Sequence, residues 1–333
     1  MRIAIDAMGG DFAPEMTVAG ALLAAKEWND VHIVLVGDEA HISALLDKGA
    51  VPGNISVHHA ADVITAEDEP VRAVRRKKEA SMVVAGRLVR EGAADALISA
   101  GNTGALMATG LLVVGRIDGI ERPALAPMLP TMDGSGVLAL DLGANMDATP
   151  ENLLQYAVMG SVYRSKVDGI AKPRVGLLNV GTEASKGNEL TKAAFPLLEK
   201  APIHFVGNVE ARDLLHGSCD VLVCDGFAGN ILLKAMEGTA STVFSVLKTE
   251  FTKTFMSKLA AAVLKPGLAA FKKKMDYSEH GAAPLLGIQG LVLKCHGSSD
   301  ANAFKNAVRQ ARIAVTNRLV EAISTETSRK REG

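Results

Sequence analysis

The sequence predicts an α/β fold, a mostly parallel sheet sandwiched between helices, built as one large unit over residues 1–325. Three observations lead there. Short apolar strand patterns alternate with helical patterns from the first residues onward. Five strand patterns end in a loop of Gly with Asn, Asp or Thr. No fixed-period repeat or low-complexity linker interrupts the alternation. Strands covered by helices on both faces read as nearly continuous apolar runs, as these do.

Ile3–Ala7 reads as the first strand and Pro14–Trp28 as a helix with proline near its first turn. Val31–Gly37 is a strand, His41–Lys48 a short helix, and Ile55–His58 an alternating strand. Glu69–Glu91 reads as one long helix opening at Pro70, followed by strand Ala94–Ser99 and a small-residue helix over Thr103–Gly115. Arg122–Met132 holds three prolines and runs extended. Val137–Leu142 is a strand, Pro150–Ser165 a helix, Val175–Val180 a strand, and Leu190–Leu198 a helix cut short by Pro196. Ile203–Gly207 and Val221–Cys224 are strands, Asn230–Phe251 a long helix, Val292–Cys295 the last strand, and Ala301–Ser324 a closing helix. A division into two lobes near residues 123–150 fits this pattern without being forced by it, and residues 326–333 form a polar tail.

Of the 333 residues, 48% are apolar and 22% charged, so a large core is expected and disorder is not. The net charge of −1 argues against a nucleic-acid binder. Cys219, Cys224 and Cys295 form neither a disulfide framework nor a zinc pattern, so buried reduced thiols are expected. Met1-Arg-Ile-Ala-Ile-Asp reads as a strand, not a signal peptide, and no apolar run reaches membrane-spanning length. A cytoplasmic protein is the expectation.

The five loops carry the chemistry. They follow Ile3–Asp6, Ala96–Ser99, Val137–Leu142, Val175–Val180 and Val221–Cys224. Glycine there lets backbone N–H groups face an anion. Parallel strands would gather the loops at one sheet edge, where open α/β folds bind ligands. Candidate anion-binding positions are Gly9, Gly10, Asp11, Asn102, Thr103, Asn145, Gly181, Thr182 and Gly229. Two readings stand for Met8-Gly-Gly-Asp11: an anion seat before a helix, or a tight turn capped by Asp11. Lys186 sits in a small-residue loop after a strand, where its ammonium can meet a phosphate or simply face solvent. Asn230 either caps the following helix or donates its amide to an oxyanion. Cys295-His-Gly-Ser-Ser-Asp300 brings imidazole, hydroxyls, carboxylate and thiol together, with His296 either an acid or base or a structural loop histidine, and Ser298, Ser299 and Asp300 beside it, of which Ser299 or Asp300 alternatively caps the last helix. No dinucleotide fingerprint, phosphate-loop lysine motif or nucleophile elbow occurs, and no cofactor or metal is expected.

Asp6-Ala-Met-Gly-Gly-Asp11, Ser99-Ala-Gly-Asn-Thr-Gly104, Asn179-Val-Gly-Thr-Glu183, Asp225-Gly-Phe-Ala-Gly-Asn230 and His296-Gly-Ser-Ser-Asp300 together resemble the motifs of the bacterial phosphate acyltransferases of phospholipid synthesis, the PlsX family, essentially end to end. The resemblance implies transfer of a fatty acyl group from acyl carrier protein to inorganic phosphate. It also implies a homodimer, a phosphotransacetylase-like or isocitrate-dehydrogenase-like fold, and a product consumed by a membrane glycerol-phosphate acyltransferase. Phosphate can attack a thioester without an enzyme nucleophile. In that scheme Lys186 and glycine N–H groups seat phosphate, Asn230 with Asn102 or Asn145 faces the oxyanion, and His296 protonates the leaving thiolate.

Residues 248–274 hold seven lysines and one glutamate. Phe255, Met256, Leu259 and Val263 fall on one helical face, and Leu268 and Phe271 begin a second amphipathic turn after Pro266-Gly267. A protruding helical hairpin over 248–280 is expected, serving as a peripheral membrane contact, a dimer element or both, with a plain core helix pair as the remaining alternative. Arg72, Arg75 and Arg76 lie early in the predicted long helix, where cations oppose the dipole. They form either a docking patch for an acidic carrier or a solvated face. The rival functions are a decarboxylating dehydrogenase on a related fold and a non-catalytic membrane-associated scaffold that binds acyl carrier protein.

Overall fold

The computed structural model describes residues 1–47, 51–258, 261, 263–267 and 282–329. It contains two sheets rather than one. In the first, β1 (Arg2–Asp6) pairs in parallel with β2 (His32–Gly37), and β2 with β3 (Ile55–His59). On its other side β1 pairs with β4 (Ala96–Ser99), which pairs with β12 (Leu291–Lys294), also in parallel. Antiparallel β11 (Ala283–Leu286) and β5 (Ala124–Leu125) complete the order β3-β2-β1-β4-β12-β11-β5. The second sheet has the order β6-β7-β10-β8-β9, with β6 (Met128–Leu129), β7 (Val137–Leu140), β8 (Arg174–Asn179), β9 (His204–Glu210) and β10 (Val221–Val223). Only β6 runs antiparallel there.

The chain passes from one sheet to the other at Ala126-Pro127, between β5 and β6. Three prolines in this stretch remove ladder donors, so its strands stay two residues long and sit at sheet edges. One apolar cluster runs through both sheets, from Ile3, Ile5 and Ile98 to Leu138, Val175 and Val221. Helix α1 (Glu15–Glu27) packs on α9 (Ala301–Thr316) over the first sheet, and α6 (Pro150–Val167) lies against α7 (Glu189–Glu199) and the strands of the second.

The predicted long helix of residues 69–91 is two helices, α3 (Pro70–Arg76) and α4 (Ser81–Arg90). Lys77 leaves helical geometry, and Ala80 bridges to Asp62 as a single β-pair. The break brings the Ser81 hydroxyl to the Asp6 carboxylate. Arg75 and Arg76 therefore sit in the last turn of α3, where the dipole favours cations, so the conflict inferred from one long helix is removed for these two, while Arg72 stays in the first turn. Helix α7 continues through Pro196 to Glu199. Lys192, whose carbonyl loses its partner there, is exposed, so solvent can take that role. The closing helix also divides, at Arg318 with φ 50°, into α9 and α10 (Leu319–Arg329). Residues 255–258 and 263–267 are helical. Leu259, Leu268 and Phe271 of the expected hairpin lie outside the described residues.

Candidate active site

Strands β1, β4 and β12 run the same way, so their carboxyl-end loops meet. The Asp11 N–H donates to the Gly297 carbonyl at 2.8 Å, tying the diglycine loop to the His296 loop. Gly10 has φ 119°, a backbone shape other residues avoid, and a Cβ on it would lie 3.1 Å from the Ala100 methyl. Beneath these loops Asp6 is buried. Its carboxylate accepts from Ser81 Oγ and Ser99 Oγ at 2.6 Å each, and from the Met8 N–H at 3.3 Å. Burial raises its pKa, although the two hydroxyls, the Met8 N–H and nearby Lys294 pull the other way.

The second sheet repeats the arrangement. Asp141 follows β7 and accepts from the N–H groups of Ala144 at 3.1 Å and Asn145 at 2.5 Å, while burial raises its pKa. The Gly226 N–H donates to the Asn145 carbonyl, so the loop after β10 rests on the loop after β7. A side chain at Gly229 would collide with the Asp141 carbonyl oxygen. Helix α8 (Gly226–Thr252) begins here, and its cap is Asp225, whose Oδ1 accepts from Phe227 at 3.0 Å and Ala228 at 2.9 Å. Asn230 is therefore not the cap. It lies in the second turn, and among the described residues its carboxamide has no hydrogen-bond partner.

A cavity of about 360 Å³ opens where the two loop sets face each other. Thr103, Lys294, Cys295 and His296 enter from the first sheet, and Gly143 and Asn230 from the second. Apolar walls come from Leu125, Pro127 and Met128 at the crossing between sheets and from Leu233 of α8. The Ser298 N–H and hydroxyl lie 3.3 Å and 2.8 Å from His296 Nδ1, so Nδ1 accepts and the neutral ring carries its proton on Nε2. Lys294 Nζ donates to the Ala100 carbonyl at 3.4 Å and to the Cys295 carbonyl, and burial lowers its pKa. Burial pushes the Cys295 thiol up to about 12 and the Cys224 thiol well above its ordinary value, so neither is a ready thiolate nucleophile.

Several predicted residues have structural duties. Asn102 caps α5 (Thr103–Thr109): its Oδ1 accepts from Ala105 at 3.1 Å and its Nδ2 donates to the Thr65 carbonyl. Asn145 donates through Nδ2 to the Pro123 carbonyl at 2.9 Å and to Asp141. Asp300 caps α9 through Ala303, Asp11 caps nothing, and Ser299 is buried beside His296. Gly181, Thr182 and Lys186 sit in the loop after β8, two strands away from β7. Lys186 is exposed, its stem lies over Gly181, and none of the three lines the cavity.

Three residues escaped the sequence reading. Asp6 and Lys294 end the apolar strands β1 and β12, and a charge closing a buried strand was the available signal. Lys234 carries no such signal, because it reads as one more helical lysine; it lines the cavity and pairs with Glu237 at 2.8 Å. Among the described residues no three His, Cys, Asp or Glu side chains come together to hold a metal.

The family model described as "Fatty acid synthesis protein" matches residues 1–322. A phosphate acyltransferase of Brevibacillus brevis is 61% identical over 97% of this chain and 96% of its own length. One from Geobacillus thermodenitrificans is 60% identical over 99% of both, and one from Bacillus anthracis 58% identical over 98% of both. Among solved structures, a phosphotransacetylase from Streptococcus pyogenes superposes with a TM-score of 0.60 at 17% identity, covering 96% of this chain and 94% of that one. A branched-chain phosphotransacylase from Enterococcus faecalis gives 0.55 at 16% identity, covering 95% and 99%. The phosphotransacetylase-like fold expected from the motifs is thereby found.

Proposed function

The chain belongs to the fatty acid synthesis protein family, and we propose that it transfers a fatty acyl group from an acyl carrier protein to inorganic phosphate, giving acyl phosphate and free carrier. The observation that carries this reading is the Asn230 carboxamide, without a protein partner among the described residues, in a cavity shared with Lys294 and His296.

A phosphate oxygen attacks the thioester carbonyl carbon, the tetrahedral oxyanion collapses, and the C–S bond breaks to release the carrier thiolate. No enzyme nucleophile is needed, which fits the high pKa of the cavity thiol. Asn230 donates to the oxyanion as charge develops. Lys294 and the N–H groups of Gly9, Gly10 and Gly297 seat the phosphate. His296 donates a hydrogen bond from Nε2 to the departing thiolate and keeps its proton, because a neutral imidazole that lost it would be left as an imidazolate. This last step adds little, since a thiolate leaves readily unprotonated. Holding both reactants in one cavity supplies much of the acceleration, an effect that reaches roughly 7–11 kcal/mol in favourable systems.

The carrier docks on Arg72, Arg75 and Arg76. All three are exposed, and α3 packs against α5, whose first residue Thr103 lines the cavity. Acidic carriers suit such a patch. The protein works as a homodimer at the membrane surface, supplying a downstream glycerol-phosphate acyltransferase. Support for the membrane contact comes from Phe255, Met256 and Val263, exposed by 76%, 73% and 81%, with Lys253, Lys258 and Lys265 among them. Among the described residues no helix is long and apolar enough to cross a membrane.

The deciding experiment incubates purified protein with a long-chain acyl carrier, with and without phosphate. Phosphate-dependent formation of acyl phosphate and free carrier is expected. A protein that binds the carrier but releases none of it is the scaffold, and the enzymatic reading fails.

A further inference from the structure

A second apolar groove of about 360 Å³ lies along α8, next to the cavity. Among the described residues its lining is apolar apart from Glu237 and Thr239. The two spaces share Leu233 and Glu237, so the groove continues the cavity along the helix. Asn230, Leu233, Glu237, Ala240 and Phe244 follow one another at intervals of three and four residues, which sets them on one helical face. That face leads from the Asn230 amide into the groove. The facing wall is Leu129 of edge strand β6, Pro130 just after it, and Leu215 of the short 3-10 helix Ala211–His216.

We infer that this groove holds the hydrocarbon tail of the acyl group while its carbonyl sits at Asn230, and that Ala240 and Val243 set the usable chain length. The inference rests on the acyl-transfer reading and extends it. A thioester carbonyl placed in the cavity must send its tail somewhere dry, and the groove adjoins the cavity with apolar walls. The length agrees: Asn230 and Val243 are thirteen residues apart, about 20 Å along a helix, against roughly 15 Å for one lipid tail in a bilayer leaflet. Glu237, the charged residue at the junction, is paired with Lys234 at 2.8 Å. Ala240 leaves room for a tail because its side chain stops at one methyl.

The test compares kcat/KM for a sixteen-carbon and a six-carbon acyl carrier in wild type, Ala240→Val, Ala240→Trp and Val243→Trp. Bulk in the groove lowers the ratio of long-chain to short-chain values stepwise, by at least about tenfold in Ala240→Trp, while the six-carbon value stays near wild type. The ratio is internal to each variant, so partial loss of folded protein does not disturb it. Ratios equal to wild type in all three variants overturn the inference. If sedimentation then shows a dissociated dimer with the ratio unchanged, the groove belongs to a second copy and the inference is likewise overturned. A wild-type protein that makes no acyl phosphate from either carrier fails at the parent reading, which is a different result.

Discussion

Ser81 Oγ lies 2.6 Å from Asp6 Oδ1, joining the first residue of α4 to the last residue of β1 across 75 positions of sequence. Ser99 makes the matching bond at the end of β4. The buried carboxylate thus fastens two parallel strands and a helix start directly under the diglycine loop. Asp6→Ala leaves both hydroxyls buried without their acceptor and is expected to lower stability by about 3 kcal/mol, read from the urea midpoint. The pH dependence has a definite sign. Folded Asp6 has its pKa raised above 3.8, so the native state holds this proton more tightly than the unfolded chain. The contribution is complete below the unfolded pKa and is lost as pH rises through the folded one. Asp6→Asn therefore shows less loss of stability than wild type as pH rises above 3.8, and parallel pH profiles would refute this.

Asn230 and Lys186 were both catalytic candidates, and their surroundings differ. Asn230 lines the cavity, whereas Lys186 is exposed on the loop after β8. Asn230→Ala is expected to cut kcat by about 100- to 1,000-fold with unchanged thermal unfolding, the usual cost of one oxyanion donor. Lys186→Ala is expected to cost less than about tenfold, on the same assay. A reversed order would move the phosphate seat to the β8 loop.

Lys294 offers a pH signature. Burial lowers its pKa below the ordinary 10.5, so its positive charge is lost earlier in alkali than that of a free lysine. Phosphate affinity is expected to fall along an alkaline limb below pH 10.5 in wild type, and Lys294→Arg should retain affinity further into alkali. Lys294→Met should raise KM for phosphate at least about tenfold with a smaller change in KM for the acyl carrier. Equal changes in both constants would make Lys294 a structural residue.

Phe255 and Val263 stand in solvent among lysines. Phe255→Ser with Val263→Ser should reduce co-sedimentation with anionic vesicles at least about fivefold, while turnover on a soluble acyl carrier stays intact. Added salt should weaken wild-type binding, because the lysine component is screened. Binding that ignores both the double substitution and salt would rule out this segment as the membrane contact.

Much was legible from the residues in order. Apolar runs, glycine-ended loops and their alternation are local signals, and they located most strands, the α/β class and the motifs shared with the family. Strand β11 was missed because its four residues, Ala283–Leu286, adjoin a long amphipathic stretch and include a proline. The break between α3 and α4 was missed because the intervening residues carry no glycine or proline; it depends on Ala80 pairing with Asp62 and Ser81 reaching Asp6.

The duties of the site residues belong to contacts between distant positions, which no local pattern encodes. Asn145 and Asn230 look alike in sequence, each closing a Gly-bearing loop. Folding gives the first to the Pro123 carbonyl, 22 positions away, and leaves the second facing the cavity. The chain alone determined that its strand tips would be small, polar and rich in backbone donors. Only the packing of two sheets against each other decided which tips meet, because a cavity between sheets is made by long-range register and apolar burial.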